Sequence, residues 1–148
     1  MFLECYRVLT GEIFTGNRTD KFSEAILSKD QRQATIIEIE KIFNKPYQET
    51  FNENILIFER YMKFTYDNNI KSLVIVPPFS KIMSERIPNE MENETLRVIK
   101  ELQAKYKFEY VDFMRDKDFN DEHFYNFSHL NNWGKKLLTE KIVLKYGF

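Results

Sequence analysis

Cysteine and long apolar runs are what this 148-residue chain has least of. Its single cysteine, Cys5, excludes an intrachain disulfide and a cysteine zinc cluster, and one thiol is compatible with a reducing or an oxidising compartment. No run of about 18 apolar residues is present, so the sequence predicts no membrane span. The first residues, 1–7, lack the ordered regions of a signal peptide.

An excess of charge of one sign is also missing. The 22 basic and 23 acidic residues are spread along the chain and give a net charge of -1. A nucleic-acid-binding domain normally carries a basic patch or stripe, so we expect no nucleic-acid partner. Hydrophobic residues make up 43% of the chain and aromatic residues 16%, which is enough to form a core. The length predicts one domain over residues 1–148.

The spacing of apolar residues predicts alternating helices and strands. Ser28 or Asp30 can begin a first helix, which ends at 44–46. In the helix that follows, we expect the apolar and aromatic residues to pack in the core. The other expected elements are helices over 52–69, 88–106 and 132–146, strands over 70–76 and 107–113, and a charged loop over 114–122.

The strand over 70–76 indicates the fold class. It is β-branched and almost continuously apolar, as in parallel strands that are covered on both faces, and Pro77 and Pro78 end it. Helix, strand, helix, strand and helix in succession predict a three-layer α/β/α domain with a mostly parallel sheet. Ser80 then lies at the carboxyl end of a strand, where such sheets bind ligands.

A histidine lies between the last predicted strand and the last helix, in the stretch Phe124 to Gly134. A histidine in such a loop is well placed to act as a general base. This stretch resembles the last motif of the SGNH (GDSL-type) hydrolases, often written FYD..HLN..G. Phe124-Tyr125, His129-Leu130-Asn131 and Gly134 match, whereas Asn126 occupies the position of the acid.

The resemblance covers about the last two thirds of the chain, from Glu53 onward. It is closest to SGNH members that modify the cell envelope, including those of D-alanyl-lipoteichoic acid biosynthesis. It implies an esterase or acyltransferase without a cofactor, acting on acyl groups of cell-surface polysaccharide or teichoic acid. The implied substrate is an acylated glycan or a small ester, and the implied location is extracytoplasmic or in the cell envelope.

The resemblance also implies roles for individual residues. His129 corresponds to the catalytic base, and Asn126 can accept a hydrogen bond from its imidazole but brings no negative charge. In a serine protease, replacing the corresponding Asp by Asn lowers turnover about 10⁴-fold, so we expect an impaired enzyme. Asn17 invites comparison with the oxyanion-hole asparagine of a Gly-x-Asn-Asp motif, although a turn or a helix cap is the alternative reading.

The nucleophile is the missing part of the motif set. An SGNH serine lies in a Gly-Asp-Ser-like turn after the first strand, and the chain contains no such turn. Ser80 is the best placed of its serines. Ser128 adjoins His129, and we expect it to bond the backbone of its own loop.

Two explanations for the missing serine are open. The chain is the C-terminal part of a longer SGNH protein, or it is a degenerate relative that kept the scaffold without the chemistry. The second explanation gives a different function, a non-catalytic SGNH-like domain that binds a glycan or a protein partner. His123 and His129, with Asp121 and Glu122 nearby, match no known ligand spacing, so we expect no metal site.

Overall fold

The computed structural model describes residues 32–147, and the chain there is a mixed α/β structure. Helices and strands alternate, with one short 3₁₀ helix before the last α-helix. In chain order the elements are α1 (Arg32–Phe43), α2 (Gln48–Asp67), β1 (Leu73–Val76), α3 (Lys81–Ser84), α4 (Asn89–Tyr106), β2 (Glu109–Asp112), the 3₁₀ helix (Asp121–His123) and α5 (Asn132–Tyr146).

The predicted order of elements is confirmed within this part of the chain. The predicted bounds of α4 and α5 agree with the structure to within one residue, whereas α3 and the 3₁₀ helix, which begins in the expected loop over 114–122, were not predicted. Helix α2 begins earlier than expected, and β1 begins only at Leu73. The strand is short because the end of α2 occupies the preceding residues: the Ile70 N–H donates to the Thr65 carbonyl at 2.8 Å, and Asn69 has a φ of 54°. Ser28 and Asp30, the predicted cap residues of α1, lie outside the described residues.

Strands β1 and β2 form a two-stranded parallel sheet, as the element order predicted. Val74 is paired with Tyr110 and Val76 with Asp112. The pairing continues one residue further, where the Phe113 N–H donates to the Val76 carbonyl at 2.9 Å. Both strands therefore end at the same edge of the sheet, and the segments that leave them begin side by side.

The core lies where α2 and α4 meet the start of β2. Its buried members are Met62, Val98, Ile99, Leu102 and Phe108. The Phe58 ring meets the Phe108 ring edge to face, with 5.7 Å between centroids. Such aromatic pairs contribute about 0.5–1.5 kcal/mol beyond the area that they bury.

Helix α2 buries a narrower face than its sequence indicated. The expectation that all of its apolar residues lie in the core is wrong for Leu56 and Phe64, which are 56% and 59% exposed. Only one stripe of a helix can face a single neighbour, and here that stripe contains Phe58 and Met62. Within residues 32–147, no helix has the length and hydropathy that crossing a bilayer requires.

Candidate functional site

The loop that carries His129 is closed on itself. Phe124 and Leu130, both buried, form an antiparallel bridge at its base. Inside this bridge the Tyr125 N–H donates to the His129 carbonyl at 3.1 Å. The buried residues anchor the loop, and the exposed His129 is presented at its surface.

Ser80 attaches this loop to the carboxyl edge of the sheet. Both its N–H and its hydroxyl donate to the Phe127 carbonyl, at 3.2 and 2.8 Å. Ser80 is fully buried, so both hydrogen bonds lie away from water. Because Ser80 follows closely on the end of β1, His129 is held near the sheet edge where the sequence predicted a ligand site.

Asn131 and Gly134 join the other end of the loop to α5. The Asn131 side chain caps the helix by accepting the Gly134 N–H at 3.1 Å, and it donates to the Glu122 carbonyl at 2.6 Å. A Cβ atom at Gly134 would overlap the carbonyl oxygen of His123 and would lie 2.7 Å from a Leu130 methyl group. Asn131 and Gly134, which both match the SGNH-like motif, therefore each have a structural role.

Asn126 organises the polar contacts of His129. Its side-chain oxygen accepts the N–H groups of Ser128 and His129, at 3.0 and 2.8 Å. The same oxygen lies 3.0 Å from Nδ1 of the His129 ring. In the tautomer in which this oxygen accepts from the ring, Nδ1 carries the proton and Nε2 keeps the free lone pair. This is the tautomer that a general base needs when its Nδ1 side is held by a partner.

Ser128 contacts the ring of His129, which differs from the contact with its own loop backbone that we expected for its hydroxyl. Its Oγ lies 3.0 Å from Nδ1 and 3.5 Å from the Asn126 oxygen. In the Nδ1–H tautomer the Ser128 hydroxyl cannot donate to that nitrogen, and in the Nε2–H tautomer it can. In either tautomer Ser128 has a share in holding the ring.

The structure brings together two of the four predicted site residues, His129 and Asn126. Ser80 touches the same loop, but its hydroxyl donates to the Phe127 carbonyl, and the contacts of the described residues do not pair it with the imidazole. Its role as a nucleophile stays a prediction. Asn17 lies outside the described residues, and its predicted oxyanion role stays a prediction as well.

An open apolar groove of about 310 Å³ lies at the carboxyl end of the sheet. Its walls come mainly from β1, α4 and the segments after the strands, and they include Val76, Pro77, Phe79, Met83, Met91, Leu96 and Met114. Sequence reasoning missed this groove, because its walls are far apart in the chain.

Two polar residues of β2 line the groove. The Tyr110 hydroxyl donates to the Asp112 carboxylate at 3.2 Å. Burial, and then the neighbouring Asp112 charge, raise the pKa of Tyr110 well above its usual range. Their alternation with Val111 at the end of a predicted strand is the sequence signal that could have found them.

The residues considered for metal binding have other contacts. Nδ1 of His123 accepts the Asn120 N–H at 3.1 Å, which makes His123 part of the 3₁₀ cap. Across residues 32–147, no group of three or more His, Cys, Asp or Glu side chains is arranged to hold a metal ion.

Comparison of the chain with models of protein families, with curated proteins and with solved structures found no significant match. The described residues therefore place the chain only in the broad class of mixed α/β proteins. Its particular features are the two parallel strands and the histidine loop at their carboxyl edge.

Proposed function

We propose that this chain is an SGNH-like esterase or acyltransferase domain with a three-layer α/β/α arrangement, in which His129 is the general base. One observation carries the proposal: the His129 Nδ1 lies 3.0 Å from the Asn126 oxygen on an exposed ring beside the sheet edge. The contact holds the histidine as the acid of an SGNH motif would hold it. The substrates are acylated cell-surface polysaccharide or teichoic acid.

In the proposed reaction, Nε2 of His129 takes the proton of a hydroxyl group as its oxygen attacks the acyl carbon. The imidazolium then returns this proton to the leaving alcohol. The hydroxyl comes from a serine outside residues 32–147 or, for hydrolysis without a covalent step, from water. Asn17 is the proposed donor to the oxyanion. Asn126 offers the imidazolium only an amide dipole, so the proposed turnover is low.

A non-catalytic domain that binds a glycan or a protein partner is the second candidate. The neutral Asn126 and the engaged Ser80 hydroxyl favour it. It differs from the first candidate in one clear way: binding to the glycan or partner survives the replacement of His129 by Ala.

Ester hydrolysis by the full chain tests the role of His129. We expect slow release of acetate from an acetylated oligosaccharide, falling to the buffer rate in His129→Ala. His123→Gln is the matched control, because glutamine can still accept the Asn120 N–H, and it should keep the original rate. Free imidazole hydrolyses activated phenyl esters without any active site, so such esters would not test the role of His129. The test therefore uses the unactivated sugar ester. Equal rates in the original chain and His129→Ala would exclude His129 as the base.

The charge missing at position 126 can be restored. An aspartate there can accept the same two backbone N–H groups and the Nδ1 proton, with a negative charge added. We expect Asn126→Asp to raise kcat at least about tenfold, since the loss on the reverse change in a serine protease is about 10⁴-fold. If Asn126→Asp stays inactive while a glycan binds equally to His129→Ala, the binding function is the correct one.

A further inference from the structure

We propose that Tyr125 is the positioning residue of His129, a role that rests on the proposed base function of this histidine. Its aromatic face keeps the imidazole in the orientation in which Nδ1 meets Asn126. The same face stabilises the positive charge that the ring gains when Nε2 takes a proton.

The two rings are stacked. Their centroids are 5.5 Å apart and their planes are inclined by 30°. This distance lies inside the range of about 4.5–7 Å for favourable aromatic pairs. The Tyr125 N–H also donates to the His129 carbonyl at 3.1 Å, which ties the two backbones together. The closed loop thus fixes both rings relative to each other.

The other contacts of the His129 ring do not fix its tilt, so the Tyr125 face has a positioning role to fill. Asn126 and Ser128 both meet the ring at Nδ1, each at 3.0 Å. A ring that is held at one atom can still tilt about that contact, which moves Nε2 away from a substrate. A flat neighbour against the ring plane opposes this tilt, because the tilted ring would lose its stacking contact.

The face also bears on the charge of the ring. The faces of aromatic rings attract cations within about 6 Å, and the attraction is stronger at desolvated sites than at exposed ones. Since Asn126 is neutral, Tyr125 supplies an attraction to the imidazolium that a carboxylate at position 126 would supply more strongly. The pair Tyr125-Asn126 therefore stabilises the imidazolium less than the Tyr-Asp pair of the SGNH motif would.

Nuclear magnetic resonance of ¹⁵N-histidine-labelled full chain tests the proposal without any substrate. Two-bond ¹H–¹⁵N spectra report the tautomer of each ring. We expect His129 to be mainly the Nδ1–H tautomer in the original chain and in Tyr125→Phe, which keeps the aromatic face. In Tyr125→Leu, which keeps apolar bulk, we expect a mixture of tautomers and averaged ring signals. The signals of His123 should be the same in all three proteins, as evidence of an intact fold.

Measuring ester hydrolysis by the same variants distinguishes a failure of the proposed base function from a failure of the positioning role. For the hydrolysis proposed above, we expect Tyr125→Leu to lower kcat about tenfold with little change in KM, and Tyr125→Phe to restore it. If the spectra change as expected but no protein hydrolyses the ester, the base function fails and the positioning role stands.

Two spectral results would overturn the positioning role. A single Nδ1–H tautomer in Tyr125→Leu would show that Asn126 and Ser128 are sufficient to hold the ring. Averaged signals in Tyr125→Phe would show that the phenol hydroxyl, rather than the ring face, orients His129. If Tyr125→Leu does not fold, Tyr125→Met gives the same comparison with a more adaptable apolar side chain.

Discussion

At the scale of single residues, Ser80 shows how burial changes the use of a hydroxyl group. A serine at the carboxyl end of a parallel strand is a natural candidate for a nucleophile, and the sequence pointed to it for this reason. In the structure its hydroxyl is fully buried and donates to the Phe127 carbonyl at 2.8 Å. That contact attaches the His129 loop to the sheet edge, and the role of Ser80 as a nucleophile stays a prediction.

Replacing Ser80 by Ala separates a structural role from a catalytic one. We expect the free energy of unfolding to fall by about 0.5–1.5 kcal/mol, because one buried hydrogen bond is lost while the Ser80 N–H still reaches Phe127. Urea denaturation measures this, and Ser72→Ala, which loses a 3.3 Å bond nearer the surface, should change stability by less. Loss of ester hydrolysis at unchanged stability would instead make Ser80 the nucleophile.

At the scale of elements, the junction between the 3₁₀ helix and α5 determines where the His129 loop begins and ends. Asn131 caps α5 and also bonds the Glu122 carbonyl at the 3₁₀ helix. Gly134 lets the first turn of α5 approach the His123 backbone closely. The spacing of three residues between Asn131 and Gly134 is thus the spacing of a cap and the N–H that it accepts.

Gly134→Ala tests this close approach. Alanine normally stabilises a helix by about 1 kcal/mol relative to glycine. Here we expect the opposite sign, a loss of about 1–3 kcal/mol, because the methyl group overlaps the His123 carbonyl and a Leu130 methyl group. Urea denaturation measures the change in the free energy of unfolding, and thermal unfolding measures the accompanying change in Tm. A more stable Gly134→Ala protein would show that α5 can move away from the 3₁₀ helix at little cost.

Gly147→Ala, at the C-terminal cap of the same helix, is the contrasting control. Nothing lies within 4 Å of its added Cβ, but its φ of +69° is left-handed. It should lose about 1–2 kcal/mol through backbone strain alone. The His129 resonances should therefore shift in Gly134→Ala and stay in place in Gly147→Ala.

At the scale of the whole molecule, Lys141 connects the C-terminal helix to the segment that leaves the sheet. Its ammonium group meets Asp116 at 2.7 Å and Asp118 at 2.5 Å. Burial by itself would raise the pKa of Asp116, but the hydrogen bonds from Lys141 and from the Asp118 backbone outweigh it, and the pKa lies below its usual value of 3.8. The folded protein therefore holds this carboxylate charged more readily than the unfolded chain does.

This difference predicts an acid dependence of stability. Because the pKa of Asp116 is lower in the folded state, its contribution is fully present above the unfolded value of 3.8 and is lost as the pH falls through the folded value. We expect the free energy of unfolding to fall below about pH 4, and to fall less steeply in Lys141→Met. Urea titrations from neutral pH to about pH 2 measure both slopes. Lys136→Met, which removes a 3.9 Å surface pair with Glu140, is the control and should keep the slope of the original chain.

Local sequence was sufficient wherever an element depends on its own neighbours. The apolar spacing of α4 and α5 predicted their bounds to within one residue, and Pro77 ended β1 as expected. The contact between Asn126 and His129 was also predictable, because the residues are three apart in one tight loop. Neighbours in the chain meet at little entropic cost, so the pattern of residue types is enough to predict such features.

Tertiary structure decided what depends on residues far apart in the chain. The hydroxyl of Ser80 bonds the Phe127 carbonyl, 47 positions away, and this contact attaches the His129 loop to the sheet edge. The face that α2 buries depends on where α4 lies, and the groove beside Tyr110 exists only once the strands are paired. The sequence by itself thus determined the order of the longer helices and the two strands, and the His129 loop. Packing alone decided which side chains are buried, because burial is a property of the neighbours that folding brings together.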